Sequence, residues 1–242
     1  MPNILLVHGA AHGAWCWHRV IPALQALGHR ARAIDLPSHG DDRTDPATVT
    51  LNSYSEAILK AMDGPTVLVG HSMGGFPITA AAEAAPDRIV ALIYVCAYLP
   101  RPGQSLAEMR RAGPRQPLAG AFQIDESRTT FTFDPEKAPA LFYHDCPAED
   151  LALAQRRLCP QPIAPQETPI PNTGKAESLP RFYIRCTEDR VIPPEYQETM
   201  AQGLPPDCIS ILPCGHSPFF AAPDALAQRI DAILRLPPVN FA

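Results

Sequence analysis

Thr66-Val67-Leu68-Val69-Gly70-His71-Ser72-Met73-Gly74-Gly75 decides the fold. Thr66 to Val69 is a short apolar run rich in β-branched residues, which suits a parallel strand covered on both faces. Gly70-His71-Ser72-Met73-Gly74 fits G-x-S-x-G, the sharp strand-to-helix corner that exposes a serine hydroxyl. The two glycines let neighbouring backbone approach the turn. The Ala-rich segment Ile78 to Ala85 reads as the helix that follows, its free N–H groups facing any anion near Ser72. Five-residue Gly/Ser matches arise by chance in many chains, so the strand before and the helix after carry the inference.

Upstream, Ile4 to Val7 reads as the first strand, followed by the small-residue loop His8-Gly9-Ala10-Ala11-His12-Gly13-Ala14. A small-residue loop directly after a strand exposes backbone N–H groups, as an oxyanion-binding site requires. Trp15 to Leu27 reads as one helix ending at Gly28, Arg30 to Ile34 as a second strand, and Ser53 to Met62 as a helix of 3.6-residue period. Downstream of the elbow, Arg88 to Val95 is a near-continuous apolar strand. Strands alternating with helices predict an α/β fold with a mostly parallel, doubly wound sheet.

From 99 to 180 this rhythm breaks. The span holds 13 prolines and shows no strand pattern, with helical patches at Ser105 to Arg111 and Ala148 to Leu158. So long a stretch is not a structureless loop inside a compact domain. We read 99–180 as a cap inserted into a core made of 1–98 and 181–242, lying over the C-terminal ends of the strands, where open α/β sheets bind ligands. Its apolar residues, among them Leu106, Met109, Phe122, Phe131, Phe133, Leu141, Phe142 and Tyr143, are candidates for a pocket wall. Arg181 to Cys186 and Cys208 to Leu212 resume the strands, with helices at Pro194 to Ala201 and Asp224 to Leu234.

A serine nucleophile needs a base to take its proton and a carboxylate to orient that base. Asp189 follows the strand ending at Cys186, and His216 follows the strand ending at Leu212. Ser72, Asp189 and His216 therefore all fall at strand C-termini on one edge of one sheet, in the chain order Ser, Asp, His. Asp207 precedes its strand and belongs at the opposite edge; Glu188, beside Asp189, stays open as the alternative acid. His8 and His12 are expected to hold the first loop by hydrogen bonds, and His71 to point away from Ser72.

Composition bounds the rest. The 242 residues are 46% hydrophobic and 19% charged, enough for a sizeable core. A formal charge of −5 with no basic run argues against nucleic acid as a partner. No apolar run approaches the ~20 residues of a membrane helix. Met1-Pro2-Asn3 leads straight into a strand pattern without a cationic leader, so a cytoplasmic location is expected. The seven cysteines are an odd number without C-x-x-C spacing, which suggests neither a disulfide framework nor a thiolate metal site. No histidine spacing suggests a metal either.

His8-Gly9-Ala10-Ala11-His12-Gly13-Ala14-Trp15, Gly70-His71-Ser72-Met73-Gly74-Gly75, Cys186-Thr187-Glu188-Asp189 and Gly215-His216 together resemble the α/β-hydrolase superfamily. More narrowly they are similar to the branch of plant methylesterases, hydroxynitrile lyases and related bacterial carboxylesterases. Phe142-Tyr143-His144-Asp145-Cys146-Pro147-Ala148-Glu149-Asp150 shares that likeness, which runs nearly the whole chain. The resemblance implies an α/β-hydrolase fold, catalytic Ser72, Asp189 and His216, oxyanion donors at the N–H groups of Ala10 and Met73, and no cofactor. Gly9, Trp15, Met109 and Phe142 are the candidate substrate contacts. Lyases of that branch carry Thr directly after the first loop histidine and Lys directly after the catalytic histidine. This chain has Gly9 and Ser217 there, which favours a serine carboxylesterase over a hydroxynitrile lyase or a weakly catalytic ligand receptor. The expected partner is a small-molecule ester, and the chain is expected to be a monomer or homodimer.

Overall fold

Residues 3–171 and 173–236 are described by a computed structural model. In chain order the regular elements begin with β1 (Asn3–Val7), α1 (Val20–Ala26), β2 (Arg30–Ile34), α2 (Leu51–Ala61), β3 (Thr66–His71), α3 (Gly75–Ala84) and β4 (Ile89–Val95). Next come α4 (Leu106–Ala112), β5 (Phe122–Ile124), β6 (Thr130–Phe133), α5 (Ala138–Phe142), α6 (Ala148–Arg157), β7 (Gln161–Pro162) and α7 (Ala164–Glu167). The chain closes with β8 (Arg181–Cys186), α8 (Pro194–Ala201), β9 (Ile209–Leu212), α9 (Pro218–Ala221) and α10 (Pro223–Leu234).

The main sheet has strand order β2-β1-β3-β4-β8-β9, and every pairing in it is parallel. Buried on both faces, β3 and β4 are buried at every position, which is why their sequences run apolar without alternation. The strand order reverses direction between β1 and β3. Loops leaving two such neighbours diverge to opposite faces and open a crevice at their C-terminal ends. That crevice places the loop from His8 beside the elbow at Ser72.

Among the helices that differ from the sequence reading, α1 and α2 do so for identifiable reasons. Helix α2 begins at Leu51 because Thr50 caps it: the Ser53 N–H donates to Thr50 Oγ1 at 3.1 Å and the Thr50 N–H to Ser53 Oγ at 2.9 Å. The predicted Trp15–Leu27 helix is split into a 3-10 turn over Ala14–Trp17 and α1. A proline ring at position 22 conflicts with the carbonyl four residues earlier, so the α-helix restarts with Pro22 in its first turn.

Between β4 and β8 the structure contains a second, antiparallel sheet, β5-β6-β7, which the sequence reading missed. Thr130-Phe131-Thr132-Phe133 pairs with Phe122–Ile124, and Asp125 closes the hairpin by accepting the N–H groups of Thr129 at 2.8 Å and Thr130 at 2.9 Å. Among the described residues no helix is long and apolar enough to cross a membrane.

Candidate active site

Ser72 sits at the corner between β3 and α3 with φ of 54°, a left-handed conformation unusual for a residue with a side chain. Its carbonyl accepts the Tyr98 N–H at 3.1 Å, tying the strained corner to the segment after β4. The flanking glycines are required by contact: a Cβ on Gly70 would stand 2.6 Å from the Gly74 carbonyl oxygen, and one on Gly74 2.8 Å from the His8 carbonyl oxygen.

The three groups taken from separate strands meet. Ser72 Oγ lies 3.0 Å from His216 Nε2, and His216 Nδ1 lies 2.8 Å from Asp189 Oδ2, with all three residues buried. Asp189 is itself fixed: Oδ1 accepts the N–H groups of Val191 at 2.7 Å and Ile192 at 2.9 Å, and Oδ2 accepts from Gln197 Nε2 at 2.9 Å. Glu188 is exposed, and Asp207 lies in the turn before β9, so neither shares the arrangement.

Neutral buried histidines support these groups. His8 donates from Nδ1 to the Gly9 carbonyl at 2.8 Å and accepts the Leu36 N–H at Nε2, 3.1 Å away. His12 donates from Nδ1 to the Ala10 carbonyl at 2.7 Å, and Tyr143 Oη lies 2.7 Å from its Nε2. Burial pulls the His12 pKa down to about 4, and pulls His8 and His71 well below the usual histidine range. The Ala11 N–H donates to Gln161 Oε1 at 3.0 Å, and the same oxygen accepts from His39 Nε2 at 2.9 Å. Ala11 has φ of 60°, so Gln161 holds a second strained position next to the first loop.

Above Ser72 lies a cavity of about 450 Å³, partly open to solvent. Ala10, Ser72, Met73 and His216 border it from the core; Phe131, Phe133 and Phe142 border it from the segment between β4 and β8. The profile of the alpha/beta hydrolase family matches residues 4–229. The chain belongs to the alpha/beta hydrolase family. It is 33% identical to Methylesterase 2 of Arabidopsis thaliana over 250 residues, covering 96% of this chain and 95% of that protein. It is likewise 33% identical to a pyrethroid hydrolase of Sphingobium wenxiniae, covering 94% of this chain and 86% of that protein. The crystal structure of a pyrethroid hydrolase from Sphingobium faniae superposes with a TM-score of 0.86 at 30% identity, covering 98% of each chain. These relatives favour the esterase side over the lyase side of the family resemblance.

Within this alpha/beta hydrolase, the expected substrate contacts separate. Phe142 borders the cavity, its ring meeting the His216 imidazole edge-on at a centroid distance of 5.5 Å. Met109 does not border it; it lies on the buried face of α4, within the hydrophobic core, and its carbonyl accepts the Tyr196 hydroxyl at 2.7 Å. Trp15 stacks on His12 at 5.4 Å and does not border the cavity. Gly9 leaves no open space: a Cβ there would stand 2.8 Å from His71 Nδ1 and 2.9 Å from Ser72 Cβ. His71 departs from expectation too. Its ring borders the cavity 4.8 Å from the His216 ring, and its Nε2 donates to the His216 carbonyl at 2.7 Å.

Tyr98, Arg110, Leu118, Gln166 and Val191 also line the cavity and were not singled out from the sequence. Tyr98 and Val191 lie just past strand C-termini, a position that marks them; the other three depend on how the segment between β4 and β8 folds back. Among the described residues, His71, Cys96 and His216 are the one trio whose ligand atoms come close enough for a metal, within 4.8 Å of one another. His71 Nε2 and Cys96 Sγ both point at the His216 carbonyl, and both His216 ring nitrogens are engaged, so the trio reads as support for the histidine loop.

Proposed function

We propose that the chain is a serine carboxylesterase that hydrolyses small to medium alkyl or aryl esters through an acyl-enzyme. The observation that carries this reading is the buried hydrogen-bonded chain Ser72–His216–Asp189 opening onto an apolar cavity. Ser72 Oγ attacks the ester carbonyl carbon while His216 Nε2 takes its proton. The tetrahedral oxyanion binds the Ala10 and Met73 N–H groups, both on the cavity wall. Collapse breaks the C–O bond, and His216 returns the proton to the departing alcohol. Water, deprotonated by His216, then releases the acid and restores Ser72. Asp189 holds the His216 tautomer with Nδ1–H and stabilises the imidazolium. Gln197 and two backbone N–H groups keep that carboxylate in place.

The segment 99–180 serves as the cap that shapes the ester site. Cytoplasmic residence fits seven free cysteines, four of them buried. Nucleic acid has no place in this reading, and the protein works as a monomer or homodimer on a small-molecule ester.

The purified protein should release p-nitrophenol from p-nitrophenyl butyrate in steady turnover, and should release cyanide from mandelonitrile no faster than buffer. Ser217, neutral and buried after the histidine, has no charge to offer a departing cyanide. Cyanide release outpacing ester hydrolysis would move the assignment to a lyase; a single burst without turnover would move it to a receptor.

A further inference from the structure

The cavity over Ser72 adjoins an outer cavity of about 520 Å³, and Tyr98, Arg110, Leu118 and Val191 border both. Arg110, Arg111 and Arg115 line the outer cavity, and no aspartate or glutamate does. This runs against the formal charge of −5 on the chain as a whole. The three arginines are not equivalent. Arg115 already grips Glu195 through two hydrogen bonds, at 2.6 and 2.9 Å. Arg111 is exposed to solvent in the last turn of α4, where any cation is favoured by the helix dipole.

Arg110 is half-buried, with its guanidinium carbon 5.0 Å from the centroid of the Phe122 ring. Among the described residues no carboxylate pairs with Arg110, although its guanidinium is partly withdrawn from water. Burial pushes the Arg110 guanidinium down from its usual range, with the neighbouring Arg111 adding to this and Tyr98 and, less, Glu167 opposing it. A cation taken partly out of water without a counter-charge is costly, and an anion brought to it recovers that cost. Phe122 leaves the planar fork edge able to take a carboxylate through two parallel hydrogen bonds.

We infer that this site prefers esters carrying a second, non-scissile carboxylate, which Arg110 binds in the outer cavity while the scissile ester lies at Ser72. The preference rests on the esterase reading above and adds a substrate class to it: half-esters of dicarboxylic acids, with the anion on the acyl side, or esters of hydroxy acids, with the anion on the alcohol side.

Two matched pairs test it. On the acyl side, mono-p-nitrophenyl adipate is compared with its primary-amide-capped form. On the alcohol side, 4-acetoxybenzoate is compared with 4-acetoxybenzamide, so that neither cap is itself a scissile ester. In at least one pair, kcat/KM for the acid should exceed that for the capped partner by about ten- to hundredfold at low salt, the range for a hydrogen bond to a charged group. That ratio should shrink as salt is added. Arg110→Gln should collapse the ratio toward one, and Arg110→Lys should keep part of it. Ratios at or below one in both pairs would overturn the proposal, as would Arg110→Gln slowing acid and capped ester by the same factor, which marks a purely structural arginine. Calorimetric binding of mono-ethyl glutarate to Ser72→Ala, with and without Arg110→Gln, reads the anion preference without turnover. Absence of hydrolysis for all four esters would therefore sink the esterase reading alone, while the binding difference still decides the role of Arg110.

Discussion

Lowering the pH from 7.5 to 5 should measurably destabilise this protein, with buried histidines as the cause. His8, His12 and His71 are each at most 1% exposed, and burial depresses all three, His12 to about 4. In the unfolded chain each titrates near about 6.5. Below that pH the unfolded chain binds protons that the folded chain refuses, so stability present at neutral pH is lost as the pH falls toward the folded values. A histidine kept neutral by the fold withdraws about 1.4 kcal/mol per pH unit below its unfolded value, so His12, held down to about 4, withdraws about 2 kcal/mol by pH 5, and His8 and His71 act in the same direction. Domains of this kind are stable by only about 5–15 kcal/mol. Carboxylates titrate mostly below this window, leaving the histidines as the main source of the slope. Urea unfolding followed by circular dichroism at pH 7.5, 6.5, 5.5 and 5 measures the effect. Stability at pH 5 within about 1 kcal/mol of that at pH 7.5 would refute the reasoning, because three histidines neutral only in the fold do not permit it.

Asp189→Asn should lower kcat by about 10⁴, as loss of the orienting carboxylate does in serine protease triads, while Glu188→Gln leaves it nearly intact; the reverse order would reassign the acid. Phe142→Ala should change the ratio of kcat/KM between bulky and small esters, within a ceiling of about 10–200-fold. Met109→Ala should instead cost about 2–5 kcal/mol of stability with that ratio unmoved, since Met109 is buried off the cavity. Gly75→Ala would place a Cβ on the Tyr98 carbonyl oxygen, and an overpacking cost of about 2 kcal/mol should drop Tm by about 4–8 °C.

The parts of the site that were legible are those tied to strand ends. Ser72, Asp189 and His216 each follow a strand whose apolar run is plain in the sequence, and a parallel sheet brings such ends to one edge. The β5-β6-β7 sheet escaped because its strands have two to four residues and sit among prolines, where Thr130-Phe131-Thr132-Phe133 offers too short a period to stand out. His71 escaped because its place before Ser72 does not tell which way its ring turns, and the ring lies beside His216. Phe142 and Met109 read alike as apolar residues of an insertion. Only the way α4 and α5 pack decides that one faces the cavity and the other the protein interior.

In the proposed reaction Ser72 carries the acyl group between the two half-reactions. Mass spectrometry of the intact protein, quenched during turnover of p-nitrophenyl butyrate, should show an added butyryl group mapping to Ser72. Ser72→Ala should lose both the adduct and turnover, by about 10⁶ in kcat. Full turnover by Ser72→Ala, or an adduct on another residue, would contradict the account.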